Sequence, residues 1–285
     1  MKISFASSVM GCEKLKAGTE ALLEEMKQIP EDLEVRVEFN ENPQLTAKRV
    51  GNQVQITCKE SAHYYRGLNQ VLHHLDTNTY ENQETVYFER NGFMLDCSRN
   101  AVFTVEKVKS VIRTLAKMGM NVLMLYTEDT YEVPADADCS SWEKPEKGLC
   151  LVYWDYYHDD EKSYEKMLNI HKQLSDDVIF AGGSWIWNGI APNYSKTFAC
   201  TKAALQTCKK YLMKEVLCTA WMDNGAETPV DAVWPGVALF AHLGFHLEYN
   251  EKVLEEEFKE CVGGNLKDFM ALDAFDSLFL NGKAN

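Results

Sequence analysis

The sequence predicts an α/β fold, an incomplete (β/α)8 TIM-type barrel preceded by a small α+β domain. Strand-like runs centred near residues 95, 123, 151, 180 and 218 are mostly separated by helix-length connections, the pattern of parallel βα units. Before residue 91 that rhythm is missing, and short alternating runs flank amphipathic ones instead. Only about 150 residues separate Gly92 from Gly244, room for about five βα units where a closed eight-unit barrel takes ~250 residues. The expected organisation is a small α+β domain over 1–90, a partial barrel over 91–247 and a helical C-terminal region beginning over 248–285.

The first unit reads as a strand, a helix, two more strands and another helix. Leu33, Val35, Val37 and Phe39 alternate with polar residues, and Val54, Ile56 and Cys58 do so after the turn at Gly51-Asn52. Both runs read as half-buried antiparallel strands. Ser61 reads as the cap of a helix carrying Tyr65, Leu68, Leu72 and Leu75 on one face. The barrel strands are expected at Phe93–Cys97, Asn121–Tyr126, Leu149–Trp154, Val178–Gly182 and Val216–Trp221. Thr104 caps a helix with Val108, Val111, Ile112 and Leu115 inward, and Tyr164, Met167, Leu168, His171 and Leu174 line another. One link breaks the series. Residues 133–148 hold Pro134 and Pro145 and no helical apolar stripe, so they supply no ordinary crossover between parallel neighbours. After Asn250 the faces Val253, Leu254, Phe258, Val262 and Phe269, Leu272, Phe275 predict further helix.

The 285 residues are 46% hydrophobic, enough to bury a core, and carry a formal net charge of -14. That charge repels phosphate backbones and anionic lipid, so neither nucleic acid nor a membrane surface is an expected partner. No apolar run approaches the ~20 residues of a bilayer span, and the first ten residues lack a secretory apolar stretch, so the expected location is cytoplasmic. Nine cysteines show no C-x-x-C spacing and read as reduced core thiols. His242 and His246 share a helix face without a third ligand in sequence, and read as ordinary helix histidines. His73-His74 reads as a favourable cation at a helix end. No metal or cofactor is expected, and the sequence leaves the oligomeric state open.

The chemistry concentrates where parallel strands end, because the loops there line the cleft. These ends are Asp96-Cys97-Ser98-Arg99-Asn100, Tyr126-Thr127-Glu128-Asp129-Thr130-Tyr131-Glu132, Tyr153-Trp154-Asp155-Tyr156-Tyr157, Trp185-Ile186-Trp187 and Trp221-Met222-Asp223-Asn224-Gly225-Ala226-Glu227. Aromatic rings and carboxylates dominate. Sugars present apolar C–H faces and rings of hydroxyls, so aromatic walls with a polar rim suit a saccharide.

This combination, together with Tyr64-Tyr65-Arg66-Gly67-Leu68, resembles glycoside hydrolase family 20, most of all the bacterial exo-acting β-N-acetylhexosaminidases. The resemblance implies substrate-assisted hydrolysis of terminal β-linked N-acetylglucosamine or N-acetylgalactosamine, an exception to the two-carboxylate scheme, and N-acetylhexosamine-containing glycans as partners. Carried onto this chain, Arg99 clamps the 3- and 4-hydroxyls, and Tyr153 donates to the acetamido carbonyl with Asp155 nearby. Trp185, Trp187 and Trp221 wall the pocket, and Asp223 takes the 4- or 6-hydroxyl.

The chain departs from the family at one point. The catalytic Asp-Glu pair follows the fourth barrel strand in that family, and here the second-strand motif runs straight into the sixth through residues 133–148. Glu128-Asp129 is the adjacent acidic pair that a rearranged sheet would have to re-aim as a substitute acid. The expectation is therefore a β-N-acetylhexosaminidase impaired by loss of its proton donor, the alternative being a non-catalytic sugar-binding or vestigial family member.

Overall fold

The computed structural model describes residues 2–5, 12–24, 33–99, 102–127, 150–223 and 227–275, with residues 2–5 and 12–14 by backbone alone. Strands β1 (Lys2–Phe5), β2 (Glu34–Phe39), β3 (Gln44–Val50), β4 (Gln53–Cys58) and β5 (Thr79–Thr85) form one mixed sheet in the order β1-β2-β4-β3-β5. Helices α1 (Cys12–Leu23) and α2 (Ser61–His73) belong to the same unit. Alternation puts Val35, Val37, Leu45, Ala47, Val54 and Ile56 inward, against Tyr64, Leu68 and Val71 of α2.

This unit corrects the sequence reading in three ways. β2 and β4 are parallel, and the antiparallel partners are β3 with β4 and β3 with β5. Strands β3 and β5 were not expected. The inward set of β3 is Leu45, Ala47 and Arg49, and β5 buries only Glu84, so neither shows an apolar alternation. Ser61 is the first helical residue of α2 and not its cap; Glu60 holds that position without a side-chain capping bond.

The second sheet contains β6 (Arg90–Asp96), β7 (Val122–Tyr126), β8 (Leu151–Trp154), β9 (Val178–Gly183) and β10 (Glu215–Ala220). All five are parallel, in the order β7-β6-β10-β9-β8. They fall where the sequence placed them. The first strand of the series lies beside the last, as it does when a barrel closes, and the sheet is open between β7 and β8. The described residues thus give a parallel sheet and not a closed barrel.

Helices α3 (Val105–Met118), α4 (Glu161–Leu174), α5 (Tyr194–Lys210) and α6 (Trp234–Phe245) bury one face of this sheet, with α7 (Glu251–Val262) and α8 (Leu266–Met270) outside α6. Thr104 caps α3 by accepting from the Lys107 N–H at 3.2 Å. Gly119, at φ 78°, ends α3 in the left-handed region, where a side chain would also strike Phe245. Val111 and Leu115 face inward as expected, whereas Ile112 is 48% exposed. In the C-terminal region Leu254 and Phe258 are buried, but Leu272 and Phe275 lie beyond α8 and are exposed. The seven cysteines whose side chains are described are free thiols, and among the described residues no helix is long and apolar enough to cross a membrane.

Candidate functional site

The sheet face turned away from α3–α6 carries Met94, Ala181 and Leu217, with Tyr126, Ile179 and Trp221 packed around them. At its C-terminal edge Asp96, Arg99 and Asp223 come together. Asp96 is fully buried; its Oδ1 accepts from the N–H (3.0 Å) and hydroxyl (2.9 Å) of Ser98, and its Oδ2 from the Met222 N–H (3.1 Å) and Arg99 (3.2 Å). Burial alone would raise its pKa, but these donors hold it below the usual carboxylate value. The same guanidinium lies 3.0 Å from Asp223 Oδ1 and stacks over Trp221 at 5.0 Å and Tyr126 at 5.6 Å from their ring centroids. Tyr126 meets Trp221 edge-on at 4.8 Å, and Trp154 lies 5.5 Å from Trp221.

Arg99, Trp221 and Asp223 are therefore brought together, and the other expected residues lie elsewhere. Trp185 and Trp187 stack on each other at 4.6 Å and are 4% and 8% exposed; they back the site and do not line its opening. Tyr153 points to the helix side of β8 and packs on Phe180 and His171. Its hydroxyl donates to Asp155 Oδ2 at 2.5 Å, and Asp155 also accepts from Tyr157 N–H and bonds His158 Nδ1 at 2.7 Å. Burial works to raise the Asp155 pKa, and this donor set brings it below the ordinary value. The pair forms its own network, away from Arg99 and Trp221. Strand alternation is the reason: Leu151 and Tyr153 share one face of β8, Val152 and Trp154 the other. Counting in twos along β8 selects Trp154, and along β6 Asp96, as residues of the cup. Tyr156 was also missed. Glu128 and Asp129 lie outside the described residues.

Two other features carry less chemistry. His242, His246 and Glu257 offer a possible cation triad. His242 Nε2, however, accepts from the Asn250 N–H, so its proton sits on Nδ1 and donates to Glu257 at 2.7 Å. His246 Nε2 and Arg66 take the other oxygen of the same carboxylate. A guanidinium against the carboxylate repels a metal ion, so the cluster is an ion-paired hub. A groove of about 1040 Å³ runs between α2 and α3, lined by Tyr65, Ile112, Leu115, Met120 and Leu123. Its charged groups stand at one end, where Glu60 is already bound by Asn121 at 2.7 Å. The converging polar groups are at the cup.

No protein-family model matches the sequence, and no curated protein matches it. Solved structures do. A GH138 enzyme targeting pectin rhamnogalacturonan II aligns over 96% of this chain and 54% of its own, at 8% identity and a TM-score of 0.52. A Flavobacterium johnsoniae chitobiase of GH20 aligns over 94% of this chain and 47% of its own (12% identity, TM-score 0.32). The Vibrio harveyi GH20 exo-β-N-acetylglucosaminidase, solved with N-acetylglucosamine, aligns over 94% and 50% (15% identity, TM-score 0.34). The chain spans about half the length of each. At these identities the likeness is one of fold, carried by the GH138 enzyme: the chain has a glycoside hydrolase-like fold.

Proposed function

We propose that this chain is a glycoside hydrolase relative that holds an N-acetylhexosamine of a glycan at the ends of β6, β7 and β10, with hydrolysis impaired. The observation that carries this reading is the Arg99 guanidinium, fixed between Asp96 and Asp223 above the Trp221 indole. A guanidinium beside a carboxylate offers a vicinal diol both donors and acceptors, and the indole offers its face to the C–H side of a pyranose. Impairment follows from the carboxylates. A general acid at neutral pH needs a raised pKa. Asp96 and Asp155 are both held low, and the adjacent Asp-Glu pair of family 20 has no counterpart in the sequence.

Titration with methyl N-acetyl-β-glucosaminide, followed by tryptophan fluorescence, tests the reading. Saturable binding is expected, lost in Arg99→Ala, together with negligible release of p-nitrophenol from the chromogenic β-N-acetylglucosaminide. Rapid release would overturn the impairment, and absence of saturation would overturn the site.

A further inference from the structure

Tyr156 touches three of the four tryptophans of the strand ends, Trp185, Trp187 and Trp221. Its hydroxyl oxygen accepts from Trp221 Nε1 at 2.8 Å, its backbone carbonyl accepts from Trp185 Nε1 at 3.1 Å, and its ring meets Trp187 edge-on at 5.3 Å. The Thr219 hydroxyl donates to the Gly182 carbonyl at 2.8 Å. Burial pushes the Tyr156 phenol pKa up to about 12, so the hydroxyl keeps its proton near neutrality while its oxygen accepts from the indole. Space for this arrangement comes from Gly183, where a Cβ would lie 2.6 Å from Trp187 and 3.0 Å from Tyr156.

We infer that Tyr156 is a positioning residue, which fixes the Trp221 indole beneath Arg99 through this hydrogen bond and so sets the affinity of the cup for a pyranose ring. The inference rests on the sugar-binding reading. An indole that has lost its N–H partner is held by ring packing alone, and any shift of the ring changes the face it presents opposite the guanidinium. Tyr156→Phe removes one oxygen and leaves the ring packing in place.

The test joins affinity to a spectroscopic readout. In Tyr156→Phe, binding of methyl N-acetyl-β-glucosaminide weakens roughly fivefold, the worth of one hydrogen bond. The indole N–H resonance of Trp221, assigned by its loss in Trp221→Phe, moves in the 1H–15N spectrum. Introduced into Trp221→Phe, the Tyr156→Phe change has no further effect on affinity, because the two residues act as one unit. An unchanged affinity in Tyr156→Phe, with binding still lost in Arg99→Ala, overturns the positioning role and leaves the sugar site standing. An equal loss in both backgrounds also overturns it, since a general packing defect would add independently. Failure of the unaltered chain to bind the glycoside overturns both.

Discussion

Asp96 shows how one buried carboxylate organises a strand end. It ties the β6 loop to the residue after Trp221 through the Met222 N–H and orients Arg99 without itself meeting solvent. Its folded pKa lies below its unfolded value, so its contribution to stability is present above the ordinary carboxylate range and is lost as pH falls through the folded value. Asp96→Asn puts an amide where four donors converge. The expected cost is about 1–3 kcal/mol in urea denaturation at pH 7, narrowing as the pH is lowered, with weaker sugar binding because Arg99 loses its anchor on β6. A constant difference from pH 7 to pH 3 would contradict this electrostatic account. The first-strand motif quoted Asp96 beside Arg99, but nothing in a linear sequence shows that its second oxygen is taken by Met222, 126 positions away.

Legibility at the scale of the element follows the apolar content of the inward positions. All five strands of the parallel sheet were readable because they carry near-continuous apolar runs, such as Val-Leu-Met-Leu-Tyr in β7. β5, with Thr-Tyr-Glu-Asn-Gln-Glu-Thr, was not, because it edges its sheet and pairs through backbone rather than through a hydrophobic face. The Nδ1 atoms of His73 and His74 bond the Asn69 and Gln70 carbonyls of the last turn, and burial lowers the pKa of His73, against its reading as a cation. Helix α7 was legible as an amphipathic stripe, but its polar side hides a burden. Burial raises the Glu260 pKa to about 7, opposed by His74 and Arg66. A folded pKa above the unfolded value gives stability that is full below about pH 4.5 and lost as pH rises through 7. Glu260→Gln is expected to match the unaltered protein in Tm at pH 4 and to exceed it at pH 8. A lower Tm at pH 8 would mean that the carboxylate stabilises through its contact with His74.

At the scale of the whole molecule, one buried cation ties the two sheets together. Arg66 of α2, nearly fully buried, donates to both oxygens of Glu84 on β5 at 2.7 Å, to the Met118 carbonyl ending α3 at 3.2 Å, and to Glu257 of α7. Its guanidinium also lies 4.2 Å from the ring centroid of Phe245, a residue of α6 that packs into the core of the first sheet. Two carboxylates therefore depend on one cation, with His242 and His246 completing the shell of Glu257. Removing one partner of a buried ion pair costs about 3–5 kcal/mol because the other charge is left without compensation. Arg66→Met should lose at least that much, since it strands both Glu84 and Glu257. The loss falls on the contact between the sheets and leaves each core intact. A protein that unfolds in a single transition is then expected to unfold in two after the substitution, the first reported by near-ultraviolet signals of the first sheet's tyrosines and the second by the tryptophans, of which the five described lie with the second sheet. Arg66→Lys should restore little, because a single ammonium cannot reproduce the forked pairing with Glu84 while also reaching Glu257. A single, merely shifted transition in Arg66→Met would show that the apolar contact around Phe245 couples the sheets by itself.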